Sequence, residues 1–300
     1  MRLLRISVLL AFLAIAARGE APLLAGDCAR PILAMTYNIR LDTPADGQNS
    51  WAHRKNLLIG QIDTLRPEIL GMQEVLPNQR ADMEMALPQY HFVGGGRDDG
   101  RLAGEASPLA IDRRRFRIIS SGTFWLSPTP ELPSLGWDAG FRRIVTWAHL
   151  KGADGVRLLA INTHWDHQGA VARRESGRLI LSWMTKNLQK DEELVLLGDL
   201  NAEATEESVA QLTEHSALRD ARSASITPST GGPISFNAFE ALPQSGKLID
   251  HIFVSPRIVV KAHSVVAQHE NGHVPSDHFP VVALLDLPVR GKRQRACSTP

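Results

Sequence analysis

The stretch Leu194-Val195-Leu196-Leu197-Gly198-Asp199-Leu200-Asn201 decides the fold. It follows the charged run Lys190-Asp191-Glu192-Glu193, and its apolar residues stop abruptly at two polar ones. A short apolar run bounded in this way predicts a strand buried on both faces in the middle of a sheet. Strand side chains alternate between faces, so Asp199 and Asn201 are expected on the same side. A carboxylate and a carboxamide at a buried strand end are costly unless something binds them there. A metal ion, an activated water or a phosphoryl group would do so. A simple Asx turn accounts for the same two residues, because both are common in turns.

The same ending recurs along the chain. Pro31-Ile32-Leu33-Ala34-Met35-Thr36-Tyr37-Asn38 reads as a strand closed by Asn38, and Glu68-Ile69-Leu70-Gly71-Met72-Gln73-Glu74 as one closed by Glu74. Val156 to Thr163 leads into Asn162-Thr163-His164-Trp165-Asp166-His167, and Lys247 to Val254 carries Asp250 within it. Pro275-Ser276-Asp277-His278-Phe279-Pro280 precedes a last strand, Val281 to Leu287. Each ending alone has an ordinary structural explanation. Their recurrence predicts strand ends that converge on one rim. Oxygen donors and histidine without cysteine favour Mg²⁺, with Mn²⁺ as the alternative, over structural zinc.

Between these strands the sequence supplies helices and hairpins. Ser50 is placed to cap a helix from Trp51 to Leu65 with Leu58, Ile62 and Leu65 on one stripe, and Pro67 stops it. Further helices are expected over Asn78–Leu87, Val171–Leu188 and Glu206–His215, the second with a stripe of Leu179, Ile180, Trp183 and Leu188. Ser107–Asp112, Arg115–Ser120 and Gly122–Ser127 read as successive antiparallel strands, Ile144–Leu150 and Val156–Thr163 as a hairpin, and Ile258–Val266 as another strand. The Arg113–Arg117 cluster reads as a solvated hairpin turn. Gly94-Gly95-Gly96-Arg97-Asp98-Asp99-Gly100 lacks the lysine and helix of a phosphate-cradling loop. Alternating strands and helices without a composition break give one α/β domain with mixed sheets.

The boundaries are 1–25 as a signal peptide, 26–288 as the folded domain and 289–300 as a disordered basic tail. Met1-Arg2-Leu3-Leu4-Arg5 is a basic n-region, and Ile6 to Ala17 an apolar segment too short for a comfortable membrane span. An exported, periplasmic or secreted protein is therefore expected. Its two cysteines, Cys28 and Cys297, stand near the termini, which excludes a thiolate metal site or a cysteine nucleophile in the region between them. A disulfide between them or two free thiols both remain open. A net charge of +1 gives no global reason to expect a nucleic-acid or membrane-surface partner, although a nucleic acid stays open, and no protein partner is evident.

The motifs Thr36-Tyr37-Asn38, Gly71-Met72-Gln73-Glu74, Asn162-Thr163-His164, Gly198-Asp199-Leu200-Asn201, Leu248-Ile249-Asp250-His251-Ile252 and Ser276-Asp277-His278-Phe279-Pro280 resemble, in order, those of the endonuclease/exonuclease/phosphatase superfamily. The resemblance runs from about Ile32 to Leu287. It implies a four-layer α/β/β/α sandwich, with two mixed sheets face to face, and Mg²⁺-dependent hydrolysis of a phosphate ester. It makes Glu74 the principal metal ligand with Asn38 beside it, and Asp277 a further candidate ligand. Asp199 would activate the attacking water, and Asn201 would hold a phosphate oxygen. His278, held by Asp250, would contact the phosphate. His164 would stabilise developing charge, paired with Glu105. Arg97, Trp137 and Arg142 fall in rim segments suited to gripping substrate, as do Asp98, Asp99 and Arg143. The expected activity is that of a phosphodiesterase or phosphomonoesterase. A secreted nuclease, or a non-catalytic binding protein on the same fold, is the alternative.

Overall fold

Twelve strands and their connecting helices make up the described residues. The structure is a computed structural model that describes residues 30–288. The signal-peptide segment, Cys28, Cys297 and the basic tail lie outside the described residues. In chain order the strands are β1 (Ile32–Asn38), β2 (Ile69–Gln73), β3 (Tyr90–Val93), β4 (Leu109–Asp112), β5 (Phe116–Trp125), β6 (Ile144–Gly152), β7 (Arg157–His164), β8 (Glu193–Asp199), β9 (Arg219–Asp220), β10 (Asp250–Val254), β11 (Val259–Val265) and β12 (Val281–Asp286). They form two six-stranded mixed sheets, ordered β11-β12-β1-β2-β4-β3 and β5-β6-β7-β8-β10-β9. The parallel pairs β1/β2 and β7/β8 lie within otherwise antiparallel ladders.

The sheets pack face to face, β1 against β8 and β10, and β2 against β7 and β8. Between them lies a core that includes Ile32, Ala34, Ile69, Val195, Leu197, Ile252 and Val281. The outer faces are covered by helices. Trp51–Leu65 and Pro77–Ala86 bury Trp51, Leu58, Ile62 and Met83 against Met35, Tyr37 and Leu70. Ala170–Asn187 and Glu207–Glu214 bury Ile180, Met184, Val209 and Leu212 against Leu194 and Leu196. β8 is thus apolar on both faces because each face meets a different layer, and the four-layer sandwich expected from the sequence is the observed architecture.

Several local expectations are corrected. Arg115–Ser120 and Gly122–Ser127 are one strand, β5, with an irregular register between Ile118 and Ser120 that the sequence pattern mimics as a break. Asp250 opens β10 rather than sitting inside a longer strand. Ser50 occupies the N-cap position, but its hydroxyl meets His53 Nδ1 at 3.1 Å instead of capping the helix. Of the expected stripe on Ala170–Asn187, Ile180 is buried and Leu179 and Trp183 pack half-buried against the core, but Leu188 is exposed, and Ala172, Ser176 and Met184 complete the inward face. The loop after Leu41 contains a 3₁₀ segment, Pro44–Asn49.

A polar clamp sets the height of one sheet against the other. Gln73 Nε2, at the end of β2, donates to Asn162 Oδ1 on β7 at 2.7 Å. Asn162 Nδ2 donates back to the carbonyls of Met72 and Pro108, at 2.7 and 3.0 Å. Gly71 is needed beneath it, since a Cβ there would lie 2.6 Å from Asn162 Oδ1. Replacing Asn162 by Ala would strand these buried partners and is expected to cost about 1–3 kcal/mol in urea unfolding.

Burial also sets a pH response in β11. His263 is buried against Ser229, and burial, aided by Arg222 and His251, lowers its pKa to about 3. In the window between its ordinary value of 6.5 and about 3, the unfolded chain binds a proton that the fold refuses. Stability should therefore fall as pH drops through that window and stay flat, for this group, above it. His263→Gln should flatten the unfolding free energy there relative to the parent chain, by up to about 1.4 kcal/mol per pH unit.

Candidate active site

The register of both sheets brings the polar strand ends together. In one sheet, His164 pairs with Asp199 across β7/β8, and Asp250 pairs with Asp199 across β10/β8. The three residues therefore stand side by side in a row. In the other sheet, Asn38 ends β1 beside Gln73, Glu74 follows, and Asp277-His278 lies just before β12. Asn38 continues the inward face of Ile32 and Ala34, and Asp199 that of Val195 and Leu197, so the two rows face each other.

A hydrogen-bond network closes between them. Asn38 Nδ2 donates to Glu74 Oε1 at 3.0 Å and to Asp199 Oδ2, across the sheets, at 2.9 Å. His278 Nδ1 lies 2.8 Å from Asp250 Oδ2, and its Nε2 lies 3.7 Å from Asp199 Oδ2. Asp199 Oδ1 accepts the Asn201 backbone N–H at 2.9 Å. The expected alternation does not reach Asn201: β8 ends at Asp199, and Asn201 has φ +49°. It joins the site through that left-handed turn instead. Its side-chain NH₂ donates to the Trp165 carbonyl at 3.0 Å and meets His164 Nε2 at 3.0 Å. The carbonyl fixes which end of the amide faces inward, so His164 Nε2 is an acceptor and is unprotonated.

The two histidines are driven apart electrostatically. Burial pushes His278 down, but Asp250 and Asp199 outweigh it and hold the ring protonated, with its pKa raised to about 10. Burial first, then Arg143, His278 and Arg97, lower His164 well below its ordinary range. Burial and the neighbouring Asp250 raise Asp199 above the usual carboxylate range. Burial likewise raises Asp277 and Glu105.

These residues fit a divalent cation. Four carboxylates, Glu74, Asp199, Asp250 and Asp277, converge, and the cations touching them are Arg40 and His278. Asp250 Oδ1 is buried without a hydrogen-bond partner. Asp199, Asp250 and His278 also cluster within 4.8 Å of one another, but His278 in its protonated form has no lone pair to give an ion, so the carboxylates are the donors. A site with this acidic excess and hard oxygen donors suits Mg²⁺ or a similar ion.

One expected pair is not formed. Glu105 Oε1 is 2.7 Å from Arg97 Nη2, and no Glu105–His164 hydrogen bond occurs among the described residues. The guanidinium outcompetes a histidine kept neutral by burial. On the rim, Arg97 lies over the Phe141 ring at 4.8 Å and Arg142 faces Asp98 at 3.3 Å, while Trp137 is exposed in its loop with φ +43°. Arg143 is buried against Asp166 and His167.

Two arginines escaped the sequence reading. Arg40, with φ +55°, sits between Glu74 and Asp277. Arg54 is 3% exposed, and its guanidinium donates to the carbonyls of Ile39, Arg40 and Pro275. It thereby ties the turn after β1 to the segment carrying Asp277. The signal was its place at helical spacing on the apolar stripe Trp51, Leu58 and Ile62.

The profile described as the Endonuclease/Exonuclease/phosphatase family matches residues 35–278. Among solved structures, an endonuclease/exonuclease/phosphatase from Bacteroides vulgatus is 36% identical, with a TM-score of 0.82 over 87% of this chain and 100% of its own. A mannosyl-6-phosphatase from Bacteroides thetaiotaomicron is 34% identical, with a TM-score of 0.81 over 85% and 99%. An uncharacterized protein, L388, of Acanthamoeba polyphaga mimivirus is 26% identical over 79% of this chain and 92% of its own.

Arg54→Met should destabilise the fold by about 1–3 kcal/mol in denaturant titrations, because the buried carbonyls of Ile39 and Pro275 lose its N–H donors. Arg54→Lys should recover only part of this, since one ammonium cannot span them all.

Proposed function

Because the chain belongs to the endonuclease/exonuclease/phosphatase family, we propose that it is a divalent-metal-dependent hydrolase of small phosphate esters. The observation that carries this reading is the network Glu74–Asn38–Asp199 meeting His278–Asp250 at the facing ends of two sheets. Glu74 would hold the ion, with Asn38 beside it and Asp277 as a further carboxylate. When bound, the ion would supply Lewis-acid polarisation of the phosphate.

The chain's own residues have separable tasks. His278, kept cationic by Asp250, binds and orients a phosphate oxygen. Asp199, close to both histidines and fixed by Asn38 and the Asn201 amide, takes the proton of the attacking water. His164 Nε2 is bare while Asn201 donates to it, so stabilising developing charge would require that contact to break and the neutral ring to carry its proton on Nε2. Asn201 currently spends its NH₂ on His164 and Trp165, so holding a phosphate oxygen requires exchange of the His164 contact. Arg97, with its Glu105 partner, Arg142 and Trp137 border the substrate side.

Similarity to a mannosyl-6-phosphatase over nearly the full length of both chains supports a sugar-phosphate or comparable small ester. The near-neutral net charge supports it against a long nucleic acid, which would need a cationic track. The basic and apolar N-terminal segments support an exported enzyme. No helix among the described residues is long and apolar enough to cross a membrane.

The test is a panel of mannose 6-phosphate, bis-p-nitrophenyl phosphate and single-stranded oligonucleotides, assayed with Mg²⁺ or Mn²⁺ and again with EDTA. Metal-dependent release from the small esters is expected, with activity lost in EDTA. Activity on oligonucleotides alone would move the assignment to a nuclease. Asp199→Asn should lower kcat by at least about 10²-fold with the unfolding midpoint preserved, and an unchanged kcat would remove the water-activating role.

A further inference from the structure

We infer that His251 is a positioning residue, which holds Asn201 at the site from the far side of β10. This rests on the hydrolase reading above and deepens it. Asn201 reaches His164 and the Trp165 carbonyl through a left-handed backbone turn, at φ +49°. A residue with a side chain resists that conformation unless its surroundings impose it. Upstream, Asp199 Oδ1 accepts the Asn201 N–H at 2.9 Å, and the Ile249 carbonyl accepts the Leu200 N–H at 2.8 Å. Asp250 stands opposite Asp199 in the ladder. Downstream, the anchor is His251, whose Nε2 lies 2.9 Å from the Ala202 carbonyl. Three successive residues, Ile249, Asp250 and His251, thus hold the chain on both sides of Asn201.

Strand alternation sends the His251 ring away from Asp250 and into the layer between sheet and helices. There it is buried, 6.0 Å from the Phe253 ring and beside the fully buried Ala202. Phe253 and Ala202 belong to the core formed with Ile180 and Leu196. From that side the imidazole does not touch substrate, so it acts through Asn201 rather than on the ester. A carbonyl only accepts, so the nitrogen facing Ala202 carries a proton. Without that N–H, a buried carbonyl next to Asn201 would lose its donor, and the turn would relieve this by shifting. A shifted Asn201 amide no longer lines up with a phosphate oxygen. A displacement of about 1 Å in such a group can lower the rate about 10²-fold.

The experiment measures kcat/KM of the full chain with Mg²⁺, on whichever small ester of the panel it turns over fastest. His251→Leu, which removes the donor, should lower kcat/KM about 10- to 100-fold. His251→Gln, whose amide reaches the same carbonyl, should recover most of that loss. In an Asn201→Ala chain, His251→Leu should have no further effect, because the group it positions is gone. An undiminished kcat/KM in a folded His251→Leu chain would overturn the inference, as would an equal loss in both backgrounds. Melting curves establish folding. If His251→Leu does not fold, or Asn201→Ala leaves no measurable turnover, two readouts decide. His251→Asn, whose amide stops short of the carbonyl, should lose what His251→Gln keeps, and equal activity of the two would overturn the inference. Nitrogen-15 NMR of the parent chain should show His251 protonated at Nε2, and a ring protonated at Nδ1 alone would overturn it. No turnover of any ester by the parent chain would instead sink the hydrolase reading itself, so the two failures are distinguishable.

Discussion

Everything at the site depends on two sheets meeting at one height. Asn38 belongs to one sheet and Asp199 to the other, yet their side chains bond at 2.9 Å. Apolar packing alone would not fix this, because hydrophobic contact is non-directional and tolerates sliding. The direction comes from Gln73 and Asn162, whose amides join the sheets just below the site. A slip between the sheets would leave these buried amides and carbonyls unpaired, so the clamp penalises misalignment sharply. Gly71 is the complement of the clamp, since only a residue without a side chain lets Asn162 approach.

Height having been fixed, the interior decides which groups are charged. His164 and His278 are both buried, and burial acts on both in the same direction. They differ in their neighbours. His278 has Asp250 at 2.8 Å, whereas His164 has Arg143, Arg97 and His278 in its surroundings. Two imidazoles on one rim thus take opposite charge states, and one can bind an anion while the other offers a neutral ring. Burial, with Asp250 beside it in the same row, raises the Asp199 carboxyl above the usual carboxylate range in the free protein.

Much of this was legible in the sequence. An apolar run that meets a different layer on each face can only read as a central strand, and β8 does. The pairing of Asp250 with His278 and the convergence of Asn38, Glu74 and Asp199 followed from strand ends and family motifs. What failed was local. Alternation assumes a continuing strand, and the left-handed turn at Asn201 ends it. The partner of Glu105 depended on competition with Arg97, a residue eight positions away whose fold placement no spacing reveals. β5 looked like two strands because a register irregularity and a glycine interrupt its pattern. Arg54 was hidden by its own chemistry: a guanidinium on an apolar stripe reads as surface until the buried carbonyls it serves are seen.

The long Pro/Gly-rich segment from Ser127 to Phe141 shows how a loop becomes part of a rigid site. Asp138 within it accepts the N–H groups of Val171 and Ala172, at 3.2 and 2.6 Å, and so caps the helix Ala170–Asn187. Asp166, two residues past His164, accepts the Gln168 and Gly169 amides and faces Arg143 at 3.3 Å. Burial alone would raise the Asp166 carboxyl, but those backbone donors and Arg143 lower its pKa to about 2, so it stays an anion. The same carboxylate therefore ties together the turn after His164, the start of a helix and the return of the loop at Arg143. Phe141, stacked between Arg97 at 4.8 Å and His167 at 5.9 Å, extends that tie to the exposed rim. A change of rim residue that disturbs Asp166 would consequently be felt in the turn that follows His164.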